Sequence, residues 1–179
     1  MKYELAQFDH VRLERTIGRW TEKAAQLDMP FHEFEKDLNW VAAHIDYTVV
    51  GDSYAYGIFA EGSDQAVAVA EIVYSRRAGP DVGWLKMLEI SMGPEHSPSQ
   101  ISSADMLVSL VDIYVAGVQG VIGLTDVHKA RVIKIYGRND QEMTFLVSLQ
   151  AHLAKLDNHG TTGGFTTKFE GRWLVIAVN

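Results

Sequence analysis

Cysteine is missing from this chain, and that absence removes disulfides, thiolate nucleophiles and cysteine-based zinc sites together. Basic residues are in short supply: 16 Lys and Arg stand against 23 Asp and Glu, a formal charge of −7. Such a surface repels phosphate backbones, so nucleic acid is not an expected partner. A clean run of apolar residues long enough to span a bilayer is also lacking. The nearest, Met106 to Leu124, is interrupted by Asp112, Gln119 and Gly117, Gly120 and Gly123, and it reads as a buried helix with no membrane partner. The first ten residues mix Lys2, Glu4, Gln7 and Asp9 among apolar ones, which excludes a secretory h-region and makes the cytoplasm the expected location. The histidines form no His-x-His, His-x-x-x-His or helical Glu-x-x-His pair, so no metal site is expected. Neither a Gly-x-Ser-x-Gly elbow nor a Walker loop occurs, which sets aside serine hydrolases and P-loop nucleotide chemistry. The glycines from Gly117 to Gly123 follow a helical pattern rather than a strand, so they read as helix-end or packing glycines and not as a dinucleotide loop.

What is present suits one domain over residues 1–179, since 47% hydrophobic and 22% charged side chains lie in the globular range. A short strand from Lys2 to Phe8 precedes Asp9, which can cap a helix with Leu13, Ile17, Trp20, Ala24 and Leu27 on its apolar face. After Pro30 a second helix aligns Phe34, Leu38, Val41 and Ile45. The period then shortens to that of strands: Ser53 to Ala60, the turn from Glu61 to Asp64, Ala66 to Tyr74 buried on both faces, the loop from Arg76 to Gly83, and Trp84 to Met92. Ser102, with Asp105 three residues on, opens a helix placing Leu107, Leu110, Val111, Tyr114 and Val118 inward. A strand from Arg131 to Gly137, a cap made by Asn139 with Glu142, a helix striped by Leu146, Leu149, Leu153 and Leu156, and a hairpin turning at Glu170-Gly171 complete the chain.

That order of elements resembles the GNAT (N-acetyltransferase-like) superfamily over nearly the full chain. Members follow their fourth strand with Pro-Glu-His-Arg-Gly-x-Gly-Ile-Gly-x-Ala or a close variant. Here the run is Pro94-Glu95-His96-Ser97-Pro98-Ser99-Gln100-Ile101-Ser102-Ser103-Ala104. Pro94, Glu95, His96, Ile101 and Ala104 coincide with common choices, while Ser97 replaces the Arg or Gln and Pro98, Gln100 and Ser102 replace the glycines. Tyr136-Gly137-Arg138-Asn139 and Phe169-Glu170-Gly171-Arg172-Trp173 are similar to the family's later strand junction and closing hairpin. The resemblance implies an α/β (α+β) fold: a mixed, mainly antiparallel sheet of about six to seven strands flanked by about four helices.

The resemblance also implies an acyl-CoA site at Ser97, Ser99, Gln100, Ile101, Ser102 and Ser103. Backbone N–H groups at a helix N-terminus would hold the pyrophosphate, and side chains in place of glycines obstruct that approach. Pro98 withholds one donor, whereas the serine hydroxyls leave anion binding open. Glu89 resembles the position of the family's base; read from the residues alone, it is a strand carboxylate at a sheet edge or paired with Lys86 or Arg76. Glu71, among Ala68, Val69, Ala70, Ile72 and Val73, must reach solvent or a partner, which makes it a second catalytic candidate or one half of a structural ion pair. The tyrosine acid of many members falls on Leu146. Trp84, Trp173, Tyr54, Tyr56 and Phe59 are core residues or, where exposed, a protein contact surface.

The expectation is a GNAT-fold protein that has lost acyl-CoA catalysis and serves as a binding or structural component. It needs no cofactor and associates with a protein partner or with itself. Small divergent proteins of this kind are encoded by phages and prophages, which adds a virion or assembly component to the readings. The alternative is an active N-acyltransferase using acetyl-CoA or another acyl-CoA on a small amine or basic peptide drawn to an acidic surface.

Overall fold

The computed structural model describes residues 2–45, 53–75, 83–97, 103–158 and 165–178, with the backbone alone for Gln141, His152 and 155–158. The elements run β1 (Tyr3–Gln7), α1 (His10–Gln26), α2 (His32–His44), β2 (Ser53–Ala60), β3 (Ala66–Ser75), β4 (Gly83–Met92), a 3-10 turn (Pro94–His96), α3 (Ala104–His128), β5 (Ala130–Tyr136), α4 (Asp140–Asn158), β6 (Phe165–Glu170) and β7 (Trp173–Val178). The strands form one mixed, mainly antiparallel sheet in the order β1-β2-β3-β4-β5-β7-β6, with β4 and β5 parallel. By contacts the chain divides into two compact units, Met1–Ile72 with Ile90–Gly120 and Val73–Glu89 with Val121–Asn179.

In the first unit, β1 pairs antiparallel with β2 from Tyr3↔Ala60 to Gln7↔Tyr56. Asp9 caps α1 as its residue type predicts, accepting from the Arg12 N–H at 2.8 Å. The inward face of α1 is Leu13, Thr16, Trp20 and Ala24. Ile17 and Leu27, expected inward, are instead exposed. Thr16 takes the inward place because its hydroxyl has two partners there: it donates to the Arg12 carbonyl at 2.7 Å and accepts from the Ala66 N–H at 3.0 Å. The α2 stripe of Phe34, Leu38, Val41 and Ile45 is buried as expected, in one cluster with Phe8, Trp20, Ala55, Phe59 and Val69. Gly62, at φ +75°, turns β2 into β3 in a conformation that a β-carbon would strain.

The first part of α3 lies on the other side of the β1–β2 strands. Gly117 sets its backbone close to Ile58 and Ile90, and Gly120 does the same to Leu5. These glycines do not end the helix, which continues to His128, so they act in packing. The expectation that α3 turns Leu107 and Val111 inward is not met: they are 50% and 39% exposed, while Val118 is buried. The side toward the sheet is taken instead by Ser109, Ile113, Ala116 and Gly117.

In the second unit the β4–β5 ladder runs from Gly83 to Met87, with an irregularity between Gly83 and Trp84. β7 pairs antiparallel with both β5 and β6. Leu85, Met87, Ile133, Ile135, Leu174 and Ile176 are buried, as are Leu146, Leu149 and Leu153 of α4. The Asn139–Glu142 cap forms reciprocally: the Glu142 N–H donates to Asn139 Oδ1 at 2.9 Å, and Glu142 in turn accepts from Asn139 Nδ2 at 3.1 Å.

A β-carbon on Gly120 would come 2.2 Å from Leu5 Cβ, whereas one on Gly123 would meet nothing within 4 Å. Gly120→Ala is therefore expected to destabilise the fold by about 1–3 kcal/mol through overpacking. Gly123→Ala is expected to stabilise it by up to about 1 kcal/mol through helix propensity. Urea unfolding of the two variants checks the pair.

Candidate functional site

The segment leaving β4 is tied to α1 before it reaches α3. The Gly93 N–H donates to the Val67 carbonyl at 2.8 Å, Pro94 is buried, and the Ser97 N–H closes the 3-10 turn on the Pro94 carbonyl at 3.3 Å. Glu95 accepts from Arg19 Nε at 3.0 Å and Nη2 at 2.5 Å, and Lys23 Nζ lies 3.4 Å from its other oxygen. Burial opposes the Glu95 charge, but the hydrogen bond and charge of Arg19, helped by Lys23, outweigh it and hold the carboxyl below its ordinary value. His96 is also held below the usual imidazole value, first by burial and then by the Arg19 and Lys2 charges, with Glu95 acting the other way. Trp20, Lys23, Val67, Gly93, Pro94, Glu95 and His96 line a recess of about 160 Å³. Much of that space is open to solvent, and the recess has no enclosed room even for a water-sized group, so it is a surface dimple and no ligand pocket.

Past this turn, Ser97 is extended (ψ 138°). Ser99, Gln100, Ile101 and Ser102, with Pro98, lie outside the described residues. Ser103 Oγ accepts from the Met106 N–H at 3.2 Å in the first turn of α3. One of the amides that an anion would need at this helix end is thus already bonded within the chain.

In the second unit, Glu89 lies past the last rung of the β4–β5 ladder and forms an ion pair with Arg138, which follows β5. Arg138 is itself held by Glu142, which accepts from the Arg138 N–H at 2.8 Å and lies 3.4 Å from its Nη2. Glu89, Arg138 and Glu142 thus form one chain of charges at the start of α4. Leu146, one turn further, is 3% exposed, with its Cδ1 beside Gly137. The Tyr136 ring packs on Trp173 with centroids 4.8 Å apart.

A seven-stranded, mixed and mainly antiparallel sheet with four helices and a closing hairpin has the layout that the sequence resemblance implied. The fold is GNAT-like. No protein-family model matches the chain, and no curated protein matches its sequence. Among solved structures, the chain is similar to a possible acetyltransferase from Clostridium difficile 630 (10% identity, 88% of this chain and 90% of that one, TM-score 0.47). It is also similar to an acetyltransferase from Thermus thermophilus (14% identity, 98% and 96%, TM-score 0.43). A third similar structure is an integron cassette protein from the mobile metagenome of V. cholerae (13% identity, 96% and 94%, TM-score 0.44).

Within this GNAT-like frame, Glu89 has a partner that neither sequence alternative named, Arg138, while Arg76 lies outside the described residues. Glu71 is half-exposed on β3 between the fully buried Ala70 and Ile72. Of the aromatic candidates, Tyr56 and Phe59 are core, whereas Tyr54, Trp84 and Trp173 are half-buried. Sequence reasoning missed Arg19, Lys23 and Arg138. The Arg12, Arg15, Arg19, Lys23 spacing of three and four was a visible basic stripe on α1, and its acceptors Asp64 and Glu95 come from distant turns.

Both shifted groups on the 3-10 turn work in the same direction. Glu95, below its reference of 4.5, contributes stability that is present above that value and lost as pH falls through its folded one. His96, below its reference of 6.5, favours the folded state above 6.5 and opposes it as acid drives protonation. Melting temperature should therefore fall on acidification from pH 7 to pH 4. His96→Asn should remove the upper part of that decline. Glu95→Gln should cost about 1 kcal/mol at neutral pH and flatten the lower part, as read by thermal melts across pH.

Proposed function

We propose that this GNAT-like protein acts by binding, as a structural or assembly component, and does not transfer acyl groups. The observation that carries the proposal is Leu146: where the resemblance places a proton-donating tyrosine, a buried aliphatic side chain stands. Direct attack of an amine on a thioester needs an acid for the leaving thiolate as well as a base for the ammonium. The resemblance assigns the base's position to Glu89, and that carboxylate is paired with Arg138. The Ser103 cap on the Met106 amide points the same way for the pyrophosphate.

One observation favours the second reading, an acyl-CoA-dependent N-acyltransferase: Glu89 keeps its place on β4, half-exposed just past the paired rungs. Acetyl-CoA separates the two. A ligand at about 100 times its dissociation constant adds about 2.7 kcal/mol to the folded state. The proposal expects no change of melting temperature at millimolar acetyl-CoA and no coenzyme A release in the presence of polyamines or basic peptides. A clear stabilisation accompanied by thiol release establishes the acyltransferase.

A further inference from the structure

Of all the elements, α3 is the one whose composition and surroundings disagree most. Its most apolar stretch has a mean hydropathy of 1.8, high enough for a bilayer span by length and composition, yet only 28% of that stretch is buried. In the part belonging to the first unit, Ala104–Gly120, the inward side is occupied: Ser109 Oγ lies 2.8 Å from the Tyr3 hydroxyl, Ile113 and Ala116 are buried, and Gly117 abuts Ile58 and Ile90. The outward side carries Leu107, Val108 and Val111 at 50%, 58% and 39% exposure, with Val115 half-exposed a turn on. Spacings of three and four place these on one ridge. Scattered surface valines are ordinary, whereas contiguous apolar ridges mark contact sites. Asp105, three residues before Val108, and Asp112, four after it, run along one border of the ridge, and α3 contains no lysine or arginine.

Charge decides among the occupants. A second copy docked antiparallel through the same ridge about a two-fold axis would bring Asp105 toward the image of Asp112, in a chain that already carries 23 acidic against 16 basic side chains. Helices that lie on anionic membranes border their apolar face with Lys and Arg, the opposite of this arrangement. A helix whose apolar stripe is bordered by Lys or Arg satisfies both features, interleaving its ridge with that of α3 and pairing with the aspartates. We propose that the Leu107–Val108–Val111 ridge of α3 is the docking surface for a basic amphipathic helix of a partner protein. This goes beyond the binding role proposed above and does not depend on it, because the argument for the ridge uses neither Glu89 nor Leu146; the acetyl-CoA measurement leaves it untouched.

The test uses the full chain and a fluorescent model helix of leucine and lysine, with its glutamate-for-lysine counterpart as control, followed by anisotropy at physiological salt. The lysine helix is expected to bind at least tenfold more tightly than the glutamate helix. Val108→Gln with Val111→Gln, which leaves charge unchanged, should weaken it at least tenfold. Asp105→Asn with Asp112→Asn should erase the preference between the two helices, with circular dichroism confirming that each variant stays folded. Binding that survives the valine changes is mere charge attraction and overturns the proposal, as does failure of the lysine helix to bind. Sedimentation showing a dimer that the valine changes dissociate, or flotation with phosphatidylglycerol vesicles that they abolish, assigns the ridge to a second copy or to a membrane and equally refutes it.

Discussion

The indole of Trp20 is fully buried, donates to the Ala66 carbonyl at 2.8 Å and meets Phe34 edge-on at 5.9 Å. It lies so close to Gly93 that a β-carbon there would come within 2.7 Å of its ring. The same helix extends Arg19 and Lys23 to Glu95, two residues further along. One side of α1 thereby holds both the start of β3 and the exit of β4. The direction in which the chain sets out toward α3 is decided by this contact, and the indole forms one wall of the small recess at this turn.

Several carboxylates, the candidate Glu89 among them, are engaged in pairs. Glu95 is bound by Arg19 and Lys23, and Glu89 by Arg138. At the closing hairpin, hydrogen bonds from Lys134 and Lys168 draw Glu170 down to about 2. An acidic chain gains from placing its few cations where carboxylates converge, since each pairing lowers the repulsion among like charges. Such pairs position loops; they do not by themselves create a reactive base. That is the physical sense in which the charge arrangement of this GNAT-like fold accords with the proposed binding role.

Readings that rest on neighbours in sequence survived closely. The bounds of β2, the Asp9 and Asn139–Glu142 caps, and the α2 stripe are all local consequences of period and capping chemistry. Readings that needed to know what lies underneath did not. Period alone could not choose Thr16 over Ile17, because the choice depends on the Ala66 amide, fifty residues away. It likewise gave α3 an apolar stripe without saying which part of it the sheet would cover. Arg138 is next to Asn139 in the chain, but nothing local reveals that it reaches back to Glu89 on another strand. Four residues expected to hold acyl-CoA, Ser99, Gln100, Ile101 and Ser102, lie outside the described residues, so that part of the site rests on Ser97 and Ser103.

By itself the sequence determined the order of elements, the Asp9 and Asn139 caps, the turn glycines and an acidic, cysteine-free composition, because each of these depends on the residue types themselves or on side chains a few positions apart. Only the tertiary structure decided which face of α3 is left bare, which cation each carboxylate receives and whether Gly117 and Gly120 end a helix or pack one. The reason is that burial and ion pairing are settled between strands and helices remote in sequence, where no periodicity along the chain can record which surfaces meet.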